Sequence, residues 1–450
     1  MADFQNTATM FEGSEQSLRE ELTSMKLPRT DITCLYSADF MKIYPLQSSV
    51  DSFSPIEFLI QTDSTSMLDL YTTLFSFTCR IKKADGTAIP ADETVALGQH
   101  FFSQLFRNVE TSINDKLISD SCNLYPYCSY IHKLVTLPQA IKDSELENEI
   151  WYPDTTVDSY VAANTGYKAR KELIAGSKPF TMVGRLSGGI FNQIRWLPSG
   201  TTVRITLRRS EPEFCLVRPT LTHGTGGGQY NVAYKIEIDE PMCLVSRKPL
   251  NPTIMTRLSN LYDKGESLKF VLDEPQIRLF NVPDGVNSIN CDSLILGRIP
   301  KYIIVGLVKS DALNGSLLLS PFNFSDFNVK ELTVNWNADT VQQRVIPLSF
   351  SGNGTTPDNY LMGLISVQKL AADKMQGNGL KVSNYKNGNV LYGVELLPTS
   401  EGCLSVNRRG QLKLSISFRS LTPAKLTAVV FCMYQNVLEI SKANGVQLDA

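Results

Sequence analysis

Over most of the chain, apolar residues recur at every second position and not at every third or fourth. In residues 202–208, Val203, Ile205 and Leu207 alternate with Arg204, Thr206 and Arg208, and Tyr230, Val232, Tyr234, Ile236 and Ile238 alternate with Asn231, Ala233, Lys235, Glu237 and Asp239. Successive side chains of a strand point to opposite faces, so each run predicts a strand with one face on a core and the other in water. The second half repeats the pattern in Leu268, Phe270 and Leu272, in Leu332, Val334 and Trp336, and in Leu412, Leu414, Ile416 and Phe418. Residues 56–60 and 73–82 predict two more strands, and Asp85-Gly86 after the second predicts a type I′ hairpin turn.

Helical periodicity is confined to short pieces. Ser17 and Glu20 have capping-box spacing, and Leu18, Leu22 and Met25 line one face of a short helix that runs to Lys26 before Pro28 stops it. Two further helices are predicted around Tyr127, Ile131 and Leu134, ending at Pro138, and around Leu361, Leu364, Ile365 and Val367. Such brief helices between many strands suit two β-sandwiches and do not suit βαβ units. With Pro249 and Pro252 marking the division, the expected organisation is an exposed arm (1–50), two β domains (51–248 and 249–441) and a tail (442–450). No short internal repeat exists, so the duplication lies in the strand pattern alone. Residues 143–178 and 221–229 read as long loops that carry contacts.

The chain has 450 residues, 42% hydrophobic and 20% charged, which is enough apolar material for two packed cores. Forty-three Lys and Arg against 45 Asp and Glu leave a net charge of -2, so no overall field draws the protein to nucleic acid or to an anionic membrane. Sequence-specific nucleic-acid binding is not expected. Residues 1–6 lack the basic start and apolar core of a secretory signal, and no apolar run approaches the roughly 20 residues of a membrane span. Nine cysteines without a C-x-x-C pair are then expected as reduced, mostly buried thiols, and the sequons at Asn314, Asn323 and Asn353 as chance.

Candidate chemistry is sparse. His100, His132 and His223 lack metal-ligand spacing, so no metal or other cofactor is expected. The glycine-rich 224–229 segment lacks a following Gly-Lys-[Ser/Thr] and leads into a strand, so it is not a phosphate loop. There is no G-x-S-x-G nucleophile elbow. The acidic run 143–149 lacks a calcium-loop pattern and reads as a solvated helix face. Arg204, Arg208 and Arg209 read as a solvated face or as inter-subunit salt bridges, with phosphate contact the rarer use. Tyr125-Pro126-Tyr127 with Tyr130 reads as a turn packed into a core, with base or sugar stacking as the alternative.

Taken in order, several segments resemble the double jelly-roll major capsid proteins of polintons and adintoviruses, a group related in fold to adenovirus hexon and to virophage and large DNA virus capsid proteins. The first-half segments are Ser54-Pro55-Ile56-Glu57-Phe58, 83–87, 102–110 with 113–118, Tyr125-Pro126-Tyr127 with Tyr130-Ile131, Gly184-Arg185 through Phe191-Asn192-Gln193, and 203–210. The second-half segments are Gly297 within 296–301, 304–308, 314–316, Pro321-Phe322-Asn323-Phe324 and 436–440. The resemblance spans about residues 54 to 440. It implies an all-β double jelly roll: two adjacent eight-stranded antiparallel barrels with short helices in the loops. It also implies that three chains form a pseudo-hexameric capsomer, and that capsomers tile the icosahedral shell of a double-stranded DNA virus or virus-like element. The implied partners are the chain itself, neighbouring capsomers, and penton and minor capsid proteins. The implied location is the virion capsid, after synthesis in the host cytoplasm or nucleus, with no catalytic residue. Two alternatives remain open at this point. One is a glycan-binding β-sandwich stacking sugars on Tyr125, Tyr127, Trp151 and Tyr152; the other is a cupin-like metal enzyme, which would need converging imidazoles.

Overall fold

The computed structural model describes residues 33–34, 40–47, 54–219, 233–337, 341–349, 360–372, 375–397, 404–441 and 445–449. Strands in the first half are β1 (Phe40–Ile43), β2 (Ile56–Gln61), β3 (Ser66–Lys83), β4 (Ala96–Leu97), β5 (Phe106–Ile113), β6 (Lys116–Asp120), β7 (Phe180–Gly184), β8 (Thr202–Arg209), β9 (Leu216–Val217) and β10 (Tyr234–Pro249). Those in the second half are β11 (Leu268–Val282), β12 (Ser288–Arg298), β13 (Tyr302–Lys309), β14 (Val329–Asn337), β15 (Val341–Pro347), β16 (Leu391–Glu395), β17 (Arg409–Phe418), β18 (Leu426–Ile440) and β19 (Val446–Asp449).

The first half forms two four-stranded sheets, β1-β10-β3-β7 and β2-β8-β5-β6, with β4 and β9 pairing separately. The second half forms β11-β18-β13-β16 and β12-β17-β14-β15. Among the described residues, with the β4–β9 pair and β19 set aside, each half has eight strands. One sheet takes the first, eighth, third and sixth of them, and the other takes the second, seventh, fourth and fifth. This is jelly-roll winding, performed twice, and all the ladders are antiparallel. The chain is a double jelly roll.

The two-residue alternation sets the facing of the strands. Val203, Ile205 and Leu207 of β8 are buried while Arg204 and Arg208 are exposed, and in β17 Leu412, Leu414, Ile416 and Phe418 all face the second core. Strand β18 departs from alternation because its first nine residues are buried on both faces, and there the run is apolar but for Thr427. Two large apolar clusters result, one inside each barrel.

Several expectations need correction. The turn at Ala84, Asp85 and Gly86 is not type I′, because only Gly86 has positive φ, at 85°. Gly86 N–H bonds back to the Lys83 carbonyl and Lys83 N–H bonds to the Thr87 carbonyl, which is a three-residue loop with glycine at its left-handed position. The presumed arm and tail are partly woven into the barrels: β1 adds an edge to β10, and β19 adds one to β18. Segment 143–178 is not an open loop but holds a 3₁₀ turn (Glu145–Glu149) and the helix Thr165–Ile174, with Glu149, Trp151 and Arg170 buried. The helix Leu361–Gln368 forms as expected, yet Leu361 and Ile365 face outward while Leu364 and Val367 pack inward. The anticipated helix at 17–26, the segment 221–229, and Tyr230, Asn231 and Val232 lie outside the described residues.

Candidate functional site at the barrel junction

The helix Tyr125–Thr136 lies where the two barrels meet. Pro126 sits in its first turn, where the missing N–H costs nothing and the fixed φ favours the helix. Its side chains divide between the cores: Tyr125 joins the first cluster, while Tyr127, Tyr130, Ile131 and Leu134 join the second. The Tyr127 hydroxyl donates to the Pro321 carbonyl at 3.0 Å. The Tyr127 ring meets Phe322 edge-on at 5.6 Å, and Tyr130 stacks on Phe322 at 4.1 Å and on Trp151 at 5.2 Å. Asn323 donates to Asp158 at 2.5 Å, and Tyr130 donates to Asn389 at 3.1 Å. Aromatic stacking and satisfied hydroxyls thus pin the helix to the second barrel.

Its attachment to the first barrel is polar. The Tyr125 hydroxyl accepts from Ser187 N–H at 3.0 Å, and Ser129 contacts Ser103 at 2.6 Å and Ser187 at 3.1 Å. Lys133 pairs with the buried Glu149, which also holds His100 Nε2 at 2.8 Å and accepts from Arg185 N–H at 3.0 Å. Burial pushes the Glu149 carboxyl up, but Lys133 and His100 outweigh it, and the group settles at about 2. Burial drives His100 down to about 4, against the upward pull of Glu149, so the imidazole is neutral near pH 7. Ser103 Oγ lies 3.5 Å from the same imidazole nitrogen that Glu149 already occupies, so the group forms no nucleophile–base relay.

A third contact comes from β11. Glu274 is buried, accepts from Ser119 Oγ of β6 at 2.5 Å and from the Gly189 backbone N–H, and borders a small cavity of ≈ 10 Å³ with a mixed polar and apolar lining. Burial is the main influence on this carboxyl and raises it from 4.5 to about 7. The barrels also share walls: Phe270 and Leu272 of β11, with Leu438 and Ile440 of β18, pack into the first core, although both strands belong to a sheet of the second barrel.

Most of the family-resemblance positions converge here. Gly184 is tight against Glu149, since a Cβ on it would lie 2.5 Å from Glu149 Cγ. Arg185 lies over the Tyr71 ring at 5.0 Å, Phe191 packs edge-on against Phe75 at 6.2 Å, and Asn192 closes the 3₁₀ turn Gly189–Phe191. Gln193 braces the chain by accepting from Arg195 N–H at 2.8 Å. Gly297 stands apart, at φ +114° on β12, which is an edge of its sheet.

One alternative and one expectation fail at this site. Tyr125, at 1% exposure, and Tyr127 are buried, and Trp151 is 8% exposed, so they form no sugar-stacking surface; Tyr152 is half-buried. Glu149 is not on a solvated face but at the centre of the charged cluster. Sequence reasoning also missed Glu274, Lys133 and the fully buried Arg170–Asp154 pair at 2.7 Å. The one available signal was Glu149 lying between apolar Leu146 and Ile150. His223 lies outside the described residues, and among those described no group of three or more His, Cys, Asp or Glu side chains is placed to hold a metal.

Among solved structures the chain is similar to a protein of the Sputnik virophage particle, with a TM-score of 0.63 and 12% identity over 98% of this chain and 94% of that one. It is similar to the mavirus major capsid protein, with a TM-score of 0.55 and 12% identity over 99% and 97% of the two chains. The Vp54 protein of the virus PBCV-1 gives a TM-score of 0.55 at 11% identity over 94% and 98%. These likenesses establish the shared double jelly-roll fold. By sequence the chain is 19% identical to the uncharacterized protein F54H12.2 of Caenorhabditis elegans, over 91% of this chain and 96% of the relative. No protein-family model matches.

Proposed function

We propose that this chain is a major capsid protein of a double-stranded DNA virus or virus-like element. On this reading it is not an enzyme: it forms homotrimers with a pseudo-hexagonal outline, which tile an icosahedral shell with penton and minor proteins. The observation that carries the reading is the twice-wound jelly roll joined by a shared wall, matched over nearly the whole length of virophage and mavirus proteins. Physics favours the use. Closed barrels leave short protected edges and rigid flanks that pack against copies, and a repeated heterologous contact closes as a three-fold ring. Residues 51–248 and 249–441 serve as the two barrel units. The finer assignment, to the polinton and adintovirus type, draws support from the ordered segment resemblance and from a relative of matched length in an animal.

Light scattering coupled to size exclusion tests the assembly. Three 50.1-kDa chains should elute as a species of about 150 kDa, with hexagonal particles in negative stain. A monomer that persists at every salt concentration and pH would overturn the proposal.

A further inference from the structure

The helix Pro252–Asp263 follows β10 directly and has no buried residue. It is nonetheless amphipathic. Ile254, Leu258, Leu261, Tyr262 and Met255 fall within one third of its circumference, four of them half-buried and Leu261 43% exposed, while Thr253, Thr256, Ser259, Asn260 and Asp263 take the other side. An amphipathic surface helix ordinarily buries such a stripe against a neighbour. The start of the helix lies beside the point where the chain enters the fold. Cys34 bridges to Leu250, and Asn251, which caps the helix by accepting from Thr253 N–H at 3.0 Å, donates its own N–H to the Thr33 carbonyl at 3.0 Å.

We propose that the amphipathic segment 17–26 of this same chain docks antiparallel on the apolar stripe of the helix Pro252–Asp263. Leu18, Leu22 and Met25 form a matching stripe at i, i+4 and i+7. Six residues separate Lys26 from Thr33, and the seven Cα-to-Cα steps span at most about 25 Å, more than the roughly 18 Å length of a twelve-residue helix, so the segment reaches the stripe without strain. The shortest path brings its C-terminal end to the N-terminal end of the structured helix, which makes the pair antiparallel. In that arrangement Glu21 and Arg257, each flanking its own stripe on the same side, face one another as opposite charges. The same pairing between two copies of the structured helix would set Arg257 against Arg257. A membrane surface fits less well, since Arg257 is the only basic residue of the helix.

Hydrogen exchange of the full chain, read by mass spectrometry, tests the docking. Amides of 17–26 should exchange about tenfold or more slowly than in a synthetic 1–32 peptide, at a rate independent of protein concentration. A Leu258→Ser, Leu261→Ser variant should abolish that protection while β8 peptides, which report the intact barrel, stay unchanged. Leu22→Ser should do the same from the other side. Peptide-like exchange in the unaltered protein, or protection that survives the Leu258→Ser, Leu261→Ser change, would overturn the proposal. So would protection that rises with concentration, which assigns the stripe to a second copy, or protection that appears only with anionic-lipid vesicles, which assigns it to a membrane.

Discussion

Glu274 couples the joint between the barrels to the pH of the solution. Its folded value of about 7 exceeds its ordinary 4.5, so the protonated form is the one the fold prefers. The stability linked to it is complete below about pH 4.5 and is lost as pH rises through 7, on the order of 3 kcal/mol in all. Asp120 beside it adds to the upward shift, while Tyr125 and Cys128 on the facing helix stay neutral there because burial raises both. Thermal midpoints from pH 5 to 9 should therefore fall more steeply for the unaltered chain than for Glu274→Gln; parallel profiles would refute the coupling. Glu149 behaves in the opposite sense. Its carboxyl is held below the ordinary value, so its contribution is present above about pH 4.5 and fades only as pH drops toward 2. Glu149→Gln strands the buried Lys133 charge and should cost about 3–5 kcal/mol in denaturant unfolding, whereas replacing both partners by Leu and Met should cost far less.

At the level of elements, the helix Tyr125–Thr136 acts as the bolt, and its aromatic contacts set its strength. Phe322→Ala should cost about 3–5 kcal/mol, because it removes the surface on which Tyr130 lies flat. Gly184→Ala should cost about 1–3 kcal/mol by forcing a methyl group into Glu149. Both are read as shifts in urea midpoint at constant slope. Sequence alone disclosed the strands with one wet face, such as β8 and β17, since alternation is a local signal. It also placed this helix, through the 127, 131 and 134 spacing before Pro138. Its role as a bolt was not legible, because Tyr125 and Tyr127 are two residues apart yet serve different cores, a division that only the meeting of distant strands creates. Glu149 was misread for the same reason: Lys133 and His100, 16 and 49 residues away, make its burial tolerable. The ends of the chain were misjudged because β1 and β19 are four-residue edge additions with weak patterns of their own.

Across the whole molecule, the sharing of walls predicts one cooperative unfolding event. Phe270, Leu272, Leu438 and Ile440 complete the first core from the second half of the sequence, and Tyr127, Tyr130 and Ile131 join the second core from the first half, so neither half has a finished interior alone. Calorimetry should show a single transition with matching calorimetric and van't Hoff enthalpies, and residues 54–249 expressed alone should aggregate. Two separate transitions would mean that the barrels are merely tethered. The long strands β11 and β18 act as beams common to both compartments, which leaves no soft seam along which one could swing against the other. On the proposed reading, a shell of such chains would have stiff tiles, and its curvature would have to be taken up in the gaps between tiles, where differences in local geometry would be absorbed by whatever surfaces the tiles present to one another.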